Sequence, residues 1–183
     1  MKKIFLTLLT LCLTVVLYAQ KTMPTIKEGT VLDCNAFVQG QQIDLTLTIK
    51  SVAVPFVIGW SVDGYGDGTF EMSANAIEKG NKFFMPTQPS LGATKLADDE
   101  FFGILPKTVY QTLVTTKELT LSGINFKVKP IATPMTIGGK EIDVTHLVGG
   151  DGKLEIWVLN NEKFPLILQT AGLPTDITVV DIK

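Results

Sequence analysis

Arginine is missing from this chain: all sixteen basic residues are lysine, scattered from end to end. Sites that grip nucleic acid or phosphate favour the bidentate guanidinium fork and gather positive charge on one face. Neither feature is present, so nucleic acid is not an expected partner. Histidine occurs once, as His146, and cysteine twice, as Cys12 and Cys34. With so few nitrogen and sulfur ligands, a zinc centre of the usual kind cannot be assembled. Nucleophilic catalysis is equally poorly served. Ser51, Ser61, Ser73, Ser90 and Ser122 are isolated, and none lies in a Gly-x-Ser-x-Gly turn. No cofactor is expected, and the chain does not read as an enzyme.

Only one stretch is apolar at length. Lys2 and Lys3 precede the run Ile4 to Tyr18, and Ala19 offers a small residue ahead of Gln20-Lys21-Thr22. That is the pattern of a signal peptide over residues 1–19, with a mature chain starting at Gln20. The run falls short of the ~20 residues a spanning helix needs. Leu11 directly before Cys12 argues against a lipidated cysteine. The mature chain is therefore expected to lack a transmembrane segment and to be exported, to the periplasm or beyond the cell. Cys34 is then its only cysteine, which excludes an intramolecular disulfide. Leu32, Ala36 and Val38 share its face in an extended strand, so it reads as a small buried hydrophobe.

What remains is the grammar of antiparallel strands. Residues 136–170 read as a β-meander, with Gly149–Gly152 and Asn160-Asn161 breaking runs rich in Ile, Val, Leu and Trp. In Gln42–Lys50, Ile43, Leu45, Leu47 and Ile49 alternate with Asp44, Thr46, Thr48 and Lys50, a half-buried strand with one wet face. Pro55 inside Val52–Val62 suggests an edge or a bulge. Ser73 is a candidate cap for a short helix over Ala74–Lys79, stopped by Gly80. Lys82–Met85 reads as strand and Pro86–Ala97 as irregular chain. A second helix is expected from Pro106 as its first residue, with Val109, Tyr110, Leu113 and Val114 on one face. Hairpins are expected at Ser122-Gly123 and Gly138-Gly139, and a closing strand over Ile177–Ile182. The predicted fold is mainly β: residues 20–183 as one antiparallel domain, a sandwich, roll or half-barrel, with one or two short helices. The alternative is two small β lobes joined near Pro86–Leu105.

Four groups of residues invite chemistry. Trp60, Tyr65 and Trp157 are candidate aromatic contacts for a small apolar or carbohydrate ligand. Asp63, Asp67 and Glu71, in and after the glycine-rich DGYGDG loop, are hard oxygen donors for calcium, although the EF-hand spacing is absent and a plain hairpin loop explains the glycines. Asp98-Asp99-Glu100 would supply the acids of a hydrolase, but catalytic carboxylates are set apart by the fold rather than adjacent in sequence. His146, among Ile142, Val144 and Val148, reads as a partly buried, hydrogen-bonded residue.

The phrases KLADDEFFGILPKTVYQTL, GGKEIDVTHL and GDGKLEIWVLNNEKFPLIL resemble those of small, uncharacterised exported β-rich proteins of Gram-negative bacteria, over about residues 90–170. That resemblance implies export and no particular activity. At the level of fold, a strand-rich sheet with a few helices resembles the half-barrels of periplasmic lipid and lipoprotein carriers, and fold alone does not fix function. The sequence thus predicts a non-enzymatic exported domain that binds an envelope component or a small ligand. A carboxylate hydrolase and a calcium-dependent module are the alternatives.

Overall fold

The computed structural model describes residues 21–183. The expected leader and its cleavage point at Gln20 lie outside the described residues. Strands β1 (Val31–Val38) and β2 (Gln41–Ser51) form a hairpin about Gln39 and Gly40, whose positive φ angles of 52° and 81° suit a tight two-residue turn. Leu45, Leu47 and Ile49 of β2 are buried as the alternation predicts. Strands β3 (Phe56–Val62) and β4 (Gly66–Met72) complete a four-stranded antiparallel meander. Here the structure corrects the expectation for Pro55. Residues 52–55 form the turn, β3 starts after the proline, and β3 lies inside the sheet between β2 and β4. Ending the turn at Pro55 spares the ladder a residue that cannot donate.

The chain then crosses over. Helix α1 (Ala74–Lys79) is capped by Ser73, whose Oγ accepts from the Ala76 N–H at 3.2 Å, and ends at Gly80. Strand β5 (Lys82–Phe83) stops two residues short of the run expected, and the segment read as irregular contains β6 (Gly92–Lys95). Strand β7 (Glu100–Phe101) pairs with β5 in parallel. Helix α2 (Lys107–Thr116) has Pro106 as its cap rather than its first turn. Its buried stripe is narrower than predicted: Tyr110 and Leu113 are inside, whereas Val114 is 51% exposed.

A second antiparallel run follows: β8 (Glu118–Leu121), β9 (Ile124–Lys129), β12 (Val144–Gly149), β13 (Leu154–Leu159), β14 (Ile167–Ala171) and β15 (Thr175–Ile182). The small hairpin β10 (Thr136–Ile137) and β11 (Lys140–Glu141) stands apart between β9 and β12. The two runs join where β1 pairs with β15, giving one eleven-stranded sheet in the order β6-β4-β3-β2-β1-β15-β14-β13-β12-β9-β8. Every neighbour is antiparallel except β4 and β6. The sheet is open, not a closed barrel, and the predicted class holds. A hydrogen-bonded seam between β1 and β15 thus connects the two runs. One face of the sheet carries Leu32, Cys34, Ile58, Phe70, Ile156 and Val158 into the core, and the crossover covers it with Phe101, Phe102 and Leu105. Among the described residues, no helix is long and apolar enough to cross a membrane.

Candidate binding cleft

Trp60 points into the core from β3, directly opposite Gly68 of β4. Only glycine fits there. A Cβ at residue 68 would lie 2.9 Å from the indole Nε1 and 2.4 Å from the Gly92 carbonyl oxygen. The indole therefore lies across bare backbone. It stacks on Tyr65, which leaves the β3–β4 turn, at 5.9 Å between centroids, and on Phe70 at 6.5 Å. Phe70 packs in turn on Phe102 from the crossover, at 4.5 Å. Of the three aromatics grouped from sequence, Trp60 and Tyr65 are brought together here; Phe70 and Phe102 were not among them.

Beside this aromatic wall is a cleft of about 380 Å³, with Ala36, Leu45, Leu47 and Ile177 among its lining residues. That volume is within the range of roughly 300–1,000 Å³ found for small-molecule sites. The short side chain of Ala36, facing Ile43 and Ile177 across β2 and β15, helps keep the space open. Residues 85–89, with prolines at 86 and 89, close one side as a strap. Two side chains tether it: Tyr65 Oη donates to the Pro89 carbonyl at 2.7 Å, and Thr175 Oγ1 to the Pro86 carbonyl at 3.4 Å. Among the described residues, the polar lining residues are glutamines, threonines and Tyr65, and no charged side chain borders the cleft. Trp60 Nε1 is the one buried side-chain nitrogen or oxygen, among the described residues, without a hydrogen-bond partner. A buried donor left unmade costs about 1–3 kcal/mol.

Trp157 does not belong to this cleft. It stands on the opposite face of β13 from Ile156 and Val158, where the His146 ring of β12 stacks on it at 4.4 Å and within 8° of parallel. His146 Nε2 lies 2.6 Å from Glu155 Oε2, so the hydrogen-bonded histidine expected from sequence has a carboxylate partner. Its predicted companions divide: Val144 is buried, whereas Val148 is half-buried like His146 itself.

The carboxylate groups are dispersed. Asp63 is exposed in the β3–β4 turn, while Asp67 and Glu71 lie four residues apart on the outward face of β4, about 13 Å along an extended strand. No three carboxylate, histidine or cysteine side chains gather for a metal ion among the described residues, so the three calcium candidates are not brought together. Asp98, Asp99 and Glu100 each turn to a local partner. Asp98 accepts from Ser73 Oγ at 2.6 Å and Asn75 Nδ2 at 3.1 Å, and these hydrogen bonds hold its carboxyl below the usual range. Asp99 pairs with Lys82 at 2.6 Å, and Glu100 Oε2 accepts from the Ala97 N–H at 3.0 Å. They serve the crossover and do not face one cleft.

No protein-family model matches the chain, and no curated protein matches it. The cleft must therefore be read from its own geometry.

Proposed function

We propose that the protein is an exported, non-enzymatic binding domain that holds a small, uncharged, largely apolar ligand between the aromatic wall and the 85–89 strap. The observation that carries this reading is the cleft itself, apolar in its depth, free of charged lining and bordered by the Trp60–Tyr65 stack. The export half rests on the basic, then apolar, then small-residue pattern of residues 1–22. Burial of an apolar ligand there would gain roughly 25 cal/mol for each Å² removed from water. Two glutamines and the threonines of the rim would orient a single polar group.

Titration with the apolar fluorophore N-phenyl-1-naphthylamine tests the reading. Enhanced dye emission, displaceable by medium-chain alcohols, is expected for the wild type. Ala36→Phe, which fills the cleft, should abolish it while leaving the melting temperature within a few degrees. Equal dye binding by wild type and Ala36→Phe would refute the proposal.

A further inference from the structure

The outward face of the sheet carries a second constellation. Asn35 of β1 stands opposite Thr178 of β15, Thr178 opposite Gln169 of β14, and Gln169 opposite Trp157 of β13. Trp157 stands opposite His146, and His146 opposite Lys129 of β9. Six side chains thus form one unbroken row across six adjacent strands. At ~4.8 Å between strands the row runs about 24 Å, perpendicular to the chain direction. A groove of about 340 Å³ lies along its middle, floored by Trp157, Gln169 and Thr178 and walled by residues 133–136.

The chemistry of the row is specific. Its middle is an indole flanked by a primary amide and a hydroxyl, with a second amide at Asn35. Amides and hydroxyls donate and accept at once, which matches vicinal hydroxyl groups, and an indole face takes up apolar C–H surface. The strands involved are all interior to the sheet, so none of them offers a free edge for strand addition by a peptide. Charge also discriminates. The carboxylate of Glu155 borders the row beside His146, and the one cation in it, Lys129, stands at its end. Phosphate and carboxylate ligands are disfavoured. The indole is also held in place in advance: β12 puts the His146 ring on it from one side, and Glu155 anchors that ring at 2.6 Å, while the groove opens toward β14 on the other. A platform already ordered loses little entropy on binding.

We propose that this row is a binding site for a neutral carbohydrate chain laid across the strands, with a sugar ring on Trp157 and its hydroxyls read by Gln169, Thr178 and Asn35. The site is on the opposite face of the sheet from the apolar cleft and is independent of it.

The test is an array of neutral and acidic glycans probed with the purified chain, followed by fluorescence titration of the best neutral glycan. Neutral glycans are expected to bind. Trp157→Ala and Gln169→Leu should each weaken binding at least tenfold, and Ala36→Phe should leave it unchanged, separating this site from the cleft. Circular dichroism checks folding. Should Trp157→Ala fail to fold, Gln169→Leu and Thr178→Val carry the test, because both keep the indole and its stacked histidine. No bound neutral glycan, binding of acidic glycans alone, or undiminished binding by the folded variants would overturn the proposal.

Discussion

Cys34 shows how far burial alone can silence a reactive group. Its thiol, 3% exposed between Leu32 and Ala36, donates to the Leu32 carbonyl at 3.6 Å. Burial, and secondarily the charge of Asp33, pushes its pKa up to about 12. The nucleophile is the thiolate, so a folded chain of residues 20–183, in which Cys34 is the one thiol, should not react with Ellman's reagent at pH 8 and should release one equivalent only in denaturant. Rapid reaction of the folded chain would show that the seam at β1 opens. The alternation in β13 makes a second residue-scale comparison. Ile156 is 1% exposed in the core, whereas Trp157 is half-buried on the outward face. Ile156→Ala should destabilise by about 2–4 kcal/mol through lost burial and a residual cavity. Trp157→Ala should destabilise less. Urea melts of the two variants check the order, and the reverse order would mean that the packing of Trp157 against His146 outweighs a core isoleucine.

At the scale of elements, the crossover depends on a relay at the start of α1. Asp98 accepts the Ser73 hydroxyl proton, which leaves a Ser73 lone pair directed at the Ala76 N–H. Because Asp98 titrates below its ordinary value when folded, its contribution is fully present above that ordinary value. It is lost as pH falls through the lower, folded one. The stability gap between wild type and Asp98→Asn should therefore hold steady from about pH 5 upward and shrink in acid. Urea midpoints across that range measure it, and a gap that persists unchanged below pH 3 would deny the relay. This cap was half legible in sequence: Ser73 and Gly80 mark the helix ends, but a carboxylate twenty-five residues on cannot be assigned to Ser73 without the fold. The same division runs through the strands. β2 and, from Leu154 to Val158, β13 write their faces in apolar alternation, and the turns at Ser122-Gly123 and Gly138-Gly139 have positive φ angles, which glycine adopts freely at 123, 138 and 139. Strand β6 has no such signature, because Gly92-Ala93-Thr94-Lys95 offers no apolar face and pairs only by lying against β4. For the cleft, Trp60 and Tyr65 were legible only as two of three candidate aromatics, and their stacking about the β3–β4 turn comes from the fold. Alternation in β13 already sets Trp157 on the face opposite Ile156 and Val158; that Trp60 shares the Ile156 face, and not that of Trp157, follows only from the pairing of β1 with β15.

Over the whole molecule, that pairing decides how the protein should unfold. β1 and β15 exchange seven registered pairs from Leu32–Ile182 to Val38–Thr175, and Val31 and Lys183 continue them with backbone bonds of 3.0 and 2.9 Å. Lys183 adds an ion pair to Asp33. Neither meander buries its central edge without the other, so unfolding should be a single cooperative event. Near-ultraviolet and far-ultraviolet circular dichroism should give coincident thermal transitions. Two separated transitions would support the two-lobe division. A chain ending at Gly172, which removes β15, should fail to fold in either half.

The seam also has a consequence for the chain as it is made. β1 and its partner stand at opposite ends of the sequence, so the first meander emerges long before the strand that completes it. At roughly 5–20 residues per second, the intervening chain takes about 7–27 s to synthesise. Throughout that interval the outer margin of β1 is a row of unsatisfied amides and carbonyls beside Leu32, Cys34 and Ala36, a template for any passing extended segment. Lysine is the residue that ordinarily blunts such a margin, and β1 contains none. A polypeptide arranged in this order is best shielded from stray pairing until β15 is available.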